Sequence, residues 1–148
     1  MVLKMTKRVK NKVKDTLDQF LFSQIESNPE YQEWVQDYKL PTYITDNISK
    51  TLRDYQEVAI KHFIWLFEQD PDKAKHLLFN LATGTGKTLT MAAAVLYLYQ
   101  KGYRNFVFLV HQNQIKDQAI KNFTDYKFEK YLFNPKGVKL NGRSIRIN

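Results

Sequence analysis

Apolar positions recur at three- and four-residue spacings from the start of the chain. Val9, Val13, Leu17, Phe20, Leu21 and Ile25 fall on one face of a helix between about Lys7 and Ile25, because 3.6 residues per turn bring those positions together. The other face carries Lys and Arg. The predicted helix is therefore either a solvated element packed on its own domain or an arm for a nucleic acid or partner. Asn28-Pro29 predicts a cap followed by a first-turn proline, opening a short helix through Glu30 to Tyr38, and Leu40-Pro41 ends it. A third helix is predicted from Arg53 to Glu68, with Tyr55, Val58, Ala59, Ile60, Phe63, Leu66 and Phe67 inward and Asp70-Pro71 as its stop.

The period then changes. His76 to Leu81 is a short apolar run that reads as a buried strand, and Asn105 to Val110 reads as a second. Between them, Thr88 to Tyr99 is rich in Ala, Leu and Met and helical in character, with Gly102 marking the turn. Gln114 to Phe123 is a further predicted helix. Strand, helix, strand is a βαβ unit, which implies a parallel sheet and a right-handed crossover. The fold class predicted is α/β, with helices on both faces of a partial parallel sheet. Val138-Lys139-Leu140 and Arg143 to Ile147 flank Asn141-Gly142, whose readiness for positive φ predicts a two-residue antiparallel hairpin.

A chain of 148 residues has the size of one domain, and its 43% hydrophobic content is that of a folded protein rather than a disordered tail. The net charge of +8 favours an anionic partner without specifying it. There is no cysteine, which excludes disulfides and thiolate metal sites and suits a reducing cytoplasm. His62, His76 and His111 form no metal-ligand spacing. No apolar run approaches the roughly 20 residues of a membrane span, and the basic stretch Lys4 to Lys14 is not followed by a signal-peptide core. A cytoplasmic protein with no membrane partner is expected.

The chemistry sits between the first predicted strand and the helix after it. Ala82-Thr83-Gly84-Thr85-Gly86-Lys87-Thr88 matches the end of a P-loop, with Leu81 where the general pattern has its first glycine. Glycines let backbone N–H groups turn inward around phosphate oxygens, and a helix N-terminus adds the positive end of its dipole. Lys87 is expected to reach the β and γ phosphates as the catalytic cation. The Thr88 hydroxyl is the expected Mg²⁺ ligand, and Thr83, Gly84, Thr85, Gly86, Lys87 and Thr88 together are expected to hold Mg-ATP.

The flanks of this loop resemble superfamily-two helicases of the Res-subunit type, the motors of type I and type III restriction enzymes and their phage relatives. Leu52-Arg53-Asp54-Tyr55-Gln56-Glu57-Val58-Ala59-Ile60 is similar to the stretch with which those domains begin. Leu81 stands where family members commonly carry methionine. Phe108-Leu109-Val110-His111 followed by Gln114-Ile115-Lys116-Asp117-Gln118 is similar to the motif that touches the nucleic-acid backbone. The resemblance implies that Gln56 reads the adenine edge and that Arg53 stacks on its ring, with His111 and Gln118 as nucleic-acid contacts. Each of the four also reads as a polar residue on a helix surface.

The likeness covers roughly Leu40 to Phe123. Lys130-Tyr131-Leu132-Phe133 with the Asn141-Gly142 hairpin also looks like an insertion of type III relatives, which leans the resemblance toward type III. It implies a RecA-like P-loop NTPase fold, with residues 1–45 as a basic helical segment and 46–148 as the first part of the ATP-binding domain. After Val110 there is no acidic box on a strand, and the arginine fingers of a second RecA-like domain are not in the sequence. The expectation is therefore the N-terminal part of an ATP-dependent DNA translocase or helicase, with at most trace hydrolysis on its own. ATP and Mg²⁺ would be its cofactors. Duplex or single-stranded DNA and modification or specificity subunits would be its partners, and a nuclease would lie elsewhere in the parent. A non-catalytic ATP- or nucleic-acid-binding module and an RNA helicase fragment remain as alternatives, because phosphate contacts carry little sequence information.

Overall fold

The computed structural model describes residues 17–70 and 76–145, with side chains from residue 21 onward. Its elements run α1 (Leu17–Glu26), α2 (Pro29–Asp37), α3 (Thr42–Thr45), α4 (Asp54–Gln69), α5 (Lys87–Gln100), α6 (Asn113–Thr124), β1 (Val138–Leu140) and β2 (Arg143–Ile145). The chain divides into two compact units. One comprises the residues up to Lys39 together with Lys61–Asn80, and the other comprises Leu40–Ile60 together with Leu81 onward, so α4 contributes its first two turns to one and its remainder to the other.

In the first unit the α1–α2 turn is set by Asn28, whose side-chain oxygen accepts from the backbone N–H groups of Glu30 (2.9 Å) and Tyr31 (3.3 Å), with Pro29 opening α2. That cap bears out the sequence reading, since Asn satisfies N–H groups that have no helical partner. The portion of the first predicted helix before Leu17 lies outside the described residues. Ile25, Tyr31 and Trp65 form a small core, with Leu21, Trp34, Val35 and Leu66 packed around it. Tyr31 meets Trp65 edge-on at 5.7 Å, a favoured geometry for aromatic pairs. Burial, with the Glu26 carboxylate adding to it, pushes the Tyr31 phenol up to about 12. Glu26 also accepts from Gln32 and sits 2.6 Å from His62 Nε2.

Helix α4 forms where expected, but its buried stripe is rotated from the predicted one. Gln56, Ile60, Phe63, Ile64 and Phe67 are buried, a spacing of four, three, one and three that follows the helical period. Tyr55 and Val58, predicted inward, are 39% and 37% exposed. Tyr55 lies in the helix's first turn, where its hydroxyl has polar partners in Arg53 and Thr85.

In the second unit, α3 packs on α5, and Leu89, Ala92, Ala93, Leu96 and Tyr97 form the buried face of α5. Phe123 on α6 lies 5.8 Å from Phe133, which in turn meets Tyr131 at 5.8 Å. The hairpin is formed as predicted: β1 and β2 pair antiparallel with Leu140 opposite Arg143, and Asn141 and Gly142 take φ of 52° and 73°. Its last predicted residues, from Arg146, lie outside the described region. Val138 and Leu140 turn inward while Lys139 faces out.

A buried asparagine ties this hairpin to the segment after α3. Asn47 Nδ2 donates to the carbonyls of Tyr43 (2.8 Å) and Lys139 (2.9 Å), and its Oδ1 accepts from Lys139 N–H at 2.7 Å. Nearby, Ile48 and Phe133 form an isolated antiparallel bridge. The side chain thus occupies both backbone groups of a residue 92 positions away.

The two predicted parallel strands are the main departure. Residues 76–81 and 105–110 belong to no ladder, and the sheet among the described residues is the two-stranded hairpin. Leu78 is 80% exposed, Val107 84% and Leu109 92%. An apolar run becomes a strand only when a neighbour offers backbone groups in register. Two strands joined through a helix need not be that neighbour for one another, and among the described residues neither run meets one. The partial parallel sheet with helices on both faces is therefore not what these residues form.

Candidate functional site

The loop predicted to hold phosphate lies between the extended residues before Leu81 and the start of α5. Gly84 and Gly86 both have positive φ, at 81° and 78°, a region that costs an L side chain about 1–2 kcal/mol. Gly86 is the N-cap of α5 and carries no side chain to satisfy the first N–H groups of the helix. Its carbonyl accepts from Leu89 (2.9 Å) and Thr90 (3.2 Å). The α5 N-terminus therefore presents backbone donors at the loop, with the positive end of the helix dipole behind them.

Two side chains close the loop on itself. Lys87 Nζ donates to the carbonyls of Leu81 (2.6 Å) and Ala82 (2.9 Å), and Thr85 Oγ1 donates to the carbonyl of Ala82 at 2.6 Å. The ammonium thus spans the loop from its last residue to its first. Thr88 is half-buried in the first turn of α5, while Thr83 is exposed at the tip.

The first turn of α4 grips the same loop. Gln56 Oε1 accepts from the backbone N–H of Arg53 at 2.9 Å, the return arm of a capping box. Its Nε2 donates to the carbonyls of Thr85 (2.8 Å) and Gly86 (3.3 Å). A β-carbon on Gly86 would lie 2.5 Å from that nitrogen, so a larger residue would displace the Gln56 amide in addition to straining the φ of 78°. Gln56 is only 3% exposed, which explains why its amide is so fully used. Beside it, the Tyr55 hydroxyl donates to the Thr85 carbonyl at 2.8 Å and accepts from Arg53 Nη1 at 3.3 Å.

The structure thus brings Arg53, Gln56, Thr85, Gly86 and Lys87 together at one loop, with Thr88 adjoining in the first turn of α5. Tyr55 belongs to this group and was missed, because its aromatic character in an amphipathic pattern read as core. The only local signal was its place next to Gln56 in the helix's first turn. His111 and Gln118 are both exposed, one just before α6 and the other on it, and neither hydrogen-bonds to the loop.

Among the described residues no three Asp, Glu or His side chains are grouped as a preformed cation site. Thr88 supplies a single hydroxyl, which fits a cation shared with phosphate oxygens rather than an all-protein cage. A cleft of about 770 Å³ lies elsewhere, lined by Val95, Leu96 and Tyr99 of α5 with Phe108, Phe123 and Val138. Val95 is eight residues beyond Lys87, or about 12 Å along the helix. That cleft is mostly apolar and shares no residue with the glycine loop.

The family model described as "Type III restriction enzyme, res subunit" matches residues 49–147, which includes the α4 turn, the glycine loop and the hairpin. The chain is also 38% identical over 140 residues to a protein of Haemophilus influenzae, the "Probable type III restriction-modification enzyme HindVIP Res subunit". That alignment covers 86% of this chain and 27% of the relative. No solved structure gives a significant match.

Proposed function

The chain belongs to the family of type III restriction enzyme Res subunits, within the P-loop helicase superfamily, and from that premise we propose that it is the ATP-binding portion of an ATP-dependent DNA translocase. The observation that carries this reading is the glycine loop itself. Two left-handed glycines, a helix N-terminus with no side-chain cap and a lysine whose ammonium spans the loop meet in one short segment. Such a set of donors is suited to a polyphosphate.

In this reading Lys87 reaches the β and γ phosphates, the loop from Thr83 to Thr88 encloses them, and Thr88 gives its hydroxyl to Mg²⁺. The bound nucleotide supplies the phosphoanhydride whose hydrolysis drives movement in the longer protein. In the same reading Gln56 reads the adenine edge and Arg53, which is exposed, stacks on its ring. His111 and Gln118 are the proposed contacts to a nucleic-acid backbone, which the net charge of +8 favours. The chain spans about a quarter of its relative's length, so translocation, a modification-subunit partner and DNA cleavage belong to the proposal for the whole protein. A cytoplasmic location goes with that role.

The test is Mg-ATP binding by the chain and by its Lys87→Ala variant. Removing the cation that faces the phosphates is expected to weaken binding by at least tenfold, while the far-ultraviolet circular dichroism stays that of the wild type because Lys87 is exposed. Unchanged affinity in the variant would sink the assignment.

A further inference from the structure

The Thr85–Gly86 peptide lies at the turn into α5 and is held from one side by α4. Its carbonyl receives two hydrogen bonds, from the Tyr55 hydroxyl and from Gln56 Nε2, both at 2.8 Å. No peptide bond in the described residues is cis, so in this planar unit the Gly86 N–H points opposite to the Thr85 carbonyl. Fixing the carbonyl toward α4 therefore fixes the Gly86 N–H on the opposite side, away from α4.

We propose that Tyr55 is a positioning residue for phosphate binding, orienting the Gly86 N–H by holding the Thr85 carbonyl through its hydroxyl. Arg53 completes the arrangement by donating to the same hydroxyl, which strengthens the phenol as a donor, since hydrogen bonds in a chain polarise one another. Tyr55 acts through the backbone and not through the base, so its effect falls on any ligand that presents a polyphosphate, whatever nucleoside is attached. Gln56 differs, because the nucleotide reading also gives it the adenine edge. The inference rests on the nucleotide reading above and assigns Tyr55 a part in it.

The experiment compares the chain with its Tyr55→Phe variant, using two probes, Mg-ATP and inorganic tripolyphosphate, and following the Gly86 amide by nitrogen-15 correlation spectroscopy. The substitution removes one oxygen from a side chain that is 39% exposed, so the fold is retained. The loss of one neutral hydrogen bond corresponds to about threefold to tenfold weaker binding. That loss is expected for both probes by the same factor, with the Gly86 amide resonance displaced. Equal affinity in the variant overturns the inference, as does a loss confined to ATP or an unmoved Gly86 amide. Should the wild type take up neither probe, or Lys87→Ala bind as well as the wild type, the nucleotide reading itself fails, and Tyr55 loses its role with it.

Discussion

Replacing Asn47 with alanine removes three hydrogen bonds at once from a side chain that is 3% exposed. At about 0.5–1.5 kcal/mol each the direct loss is roughly 1.5–4.5 kcal/mol. The N–H and carbonyl of Lys139 then lose their partner, but Lys139 lies on the outer face of β1, where water replaces part of what is lost. A destabilisation of about 2–4 kcal/mol is expected, or roughly 5–15 °C in melting temperature for a chain of this size. Asn47→Asp refines the test. The carboxylate keeps the acceptor for Lys139 N–H but turns its second oxygen toward the Tyr43 and Lys139 carbonyls, which disfavours the charged form and raises the folded-state pKa above its unfolded value. Stability relative to wild type is therefore highest below the unfolded pKa and is lost as pH rises through the folded one, so this variant recovers on acidification and Asn47→Ala does not. Urea unfolding at two pH values, with amide exchange at Lys139 as the local readout, measures both. A loss below 1 kcal/mol for Asn47→Ala would show that the hairpin is held by its apolar face alone.

The double substitution Val107→Lys with Leu109→Lys, at sites 84% and 92% exposed, is expected to change stability by no more than about 0.5 kcal/mol per site; unfolding of the chain would show that residues 105–110 sit in a buried sheet instead. The Tyr31 phenol, raised to about 12 from 10, contributes stability that is complete below pH 10 and is lost as pH rises toward 12. A phenolate absorbance titration of wild type and Tyr31→Phe checks this, and the reasoning fails if the difference between them titrates near pH 10.

The helices were legible because each signal is local. The Asn28 cap, the Pro29 start, the apolar stripe of α4 and the Asn141-Gly142 turn need only neighbours within a few residues. The parallel strands were not legible in the same sense. The runs at 76–81 and 105–110 have the composition of buried strands, but composition cannot supply the neighbour whose backbone completes a ladder. The glycine loop was readable for the same reason as the helices, since its conformation is written into two glycines and the helix that follows. What the sequence could not show was distance: that Gln56 would reach a carbonyl 29 residues away, or Asn47 a strand residue 92 positions on. Such polar residues carry no pattern, because what satisfies them is set by the packing of other elements.

The position of the loop follows from these long-range contacts more than from any strand beneath it. Residues 76–81 join no ladder, yet the loop is fixed at three points: the α5 N-terminus through Gly86, its own first carbonyls through Lys87, and α4 through Tyr55 and Gln56. Gln56 makes the last of these exact in register, because its Oε1 caps α4 while its Nε2 holds Thr85 and Gly86. The start of α4 and the turn of the loop are therefore one structural decision. Shifting α4 by a single residue would move Gln56 by about 100° around the helix and release both ends at once. The loop's geometry thus rests on contacts within residues 53–56 and 81–88, and none of these contacts needs a ladder at 76–81 or 105–110.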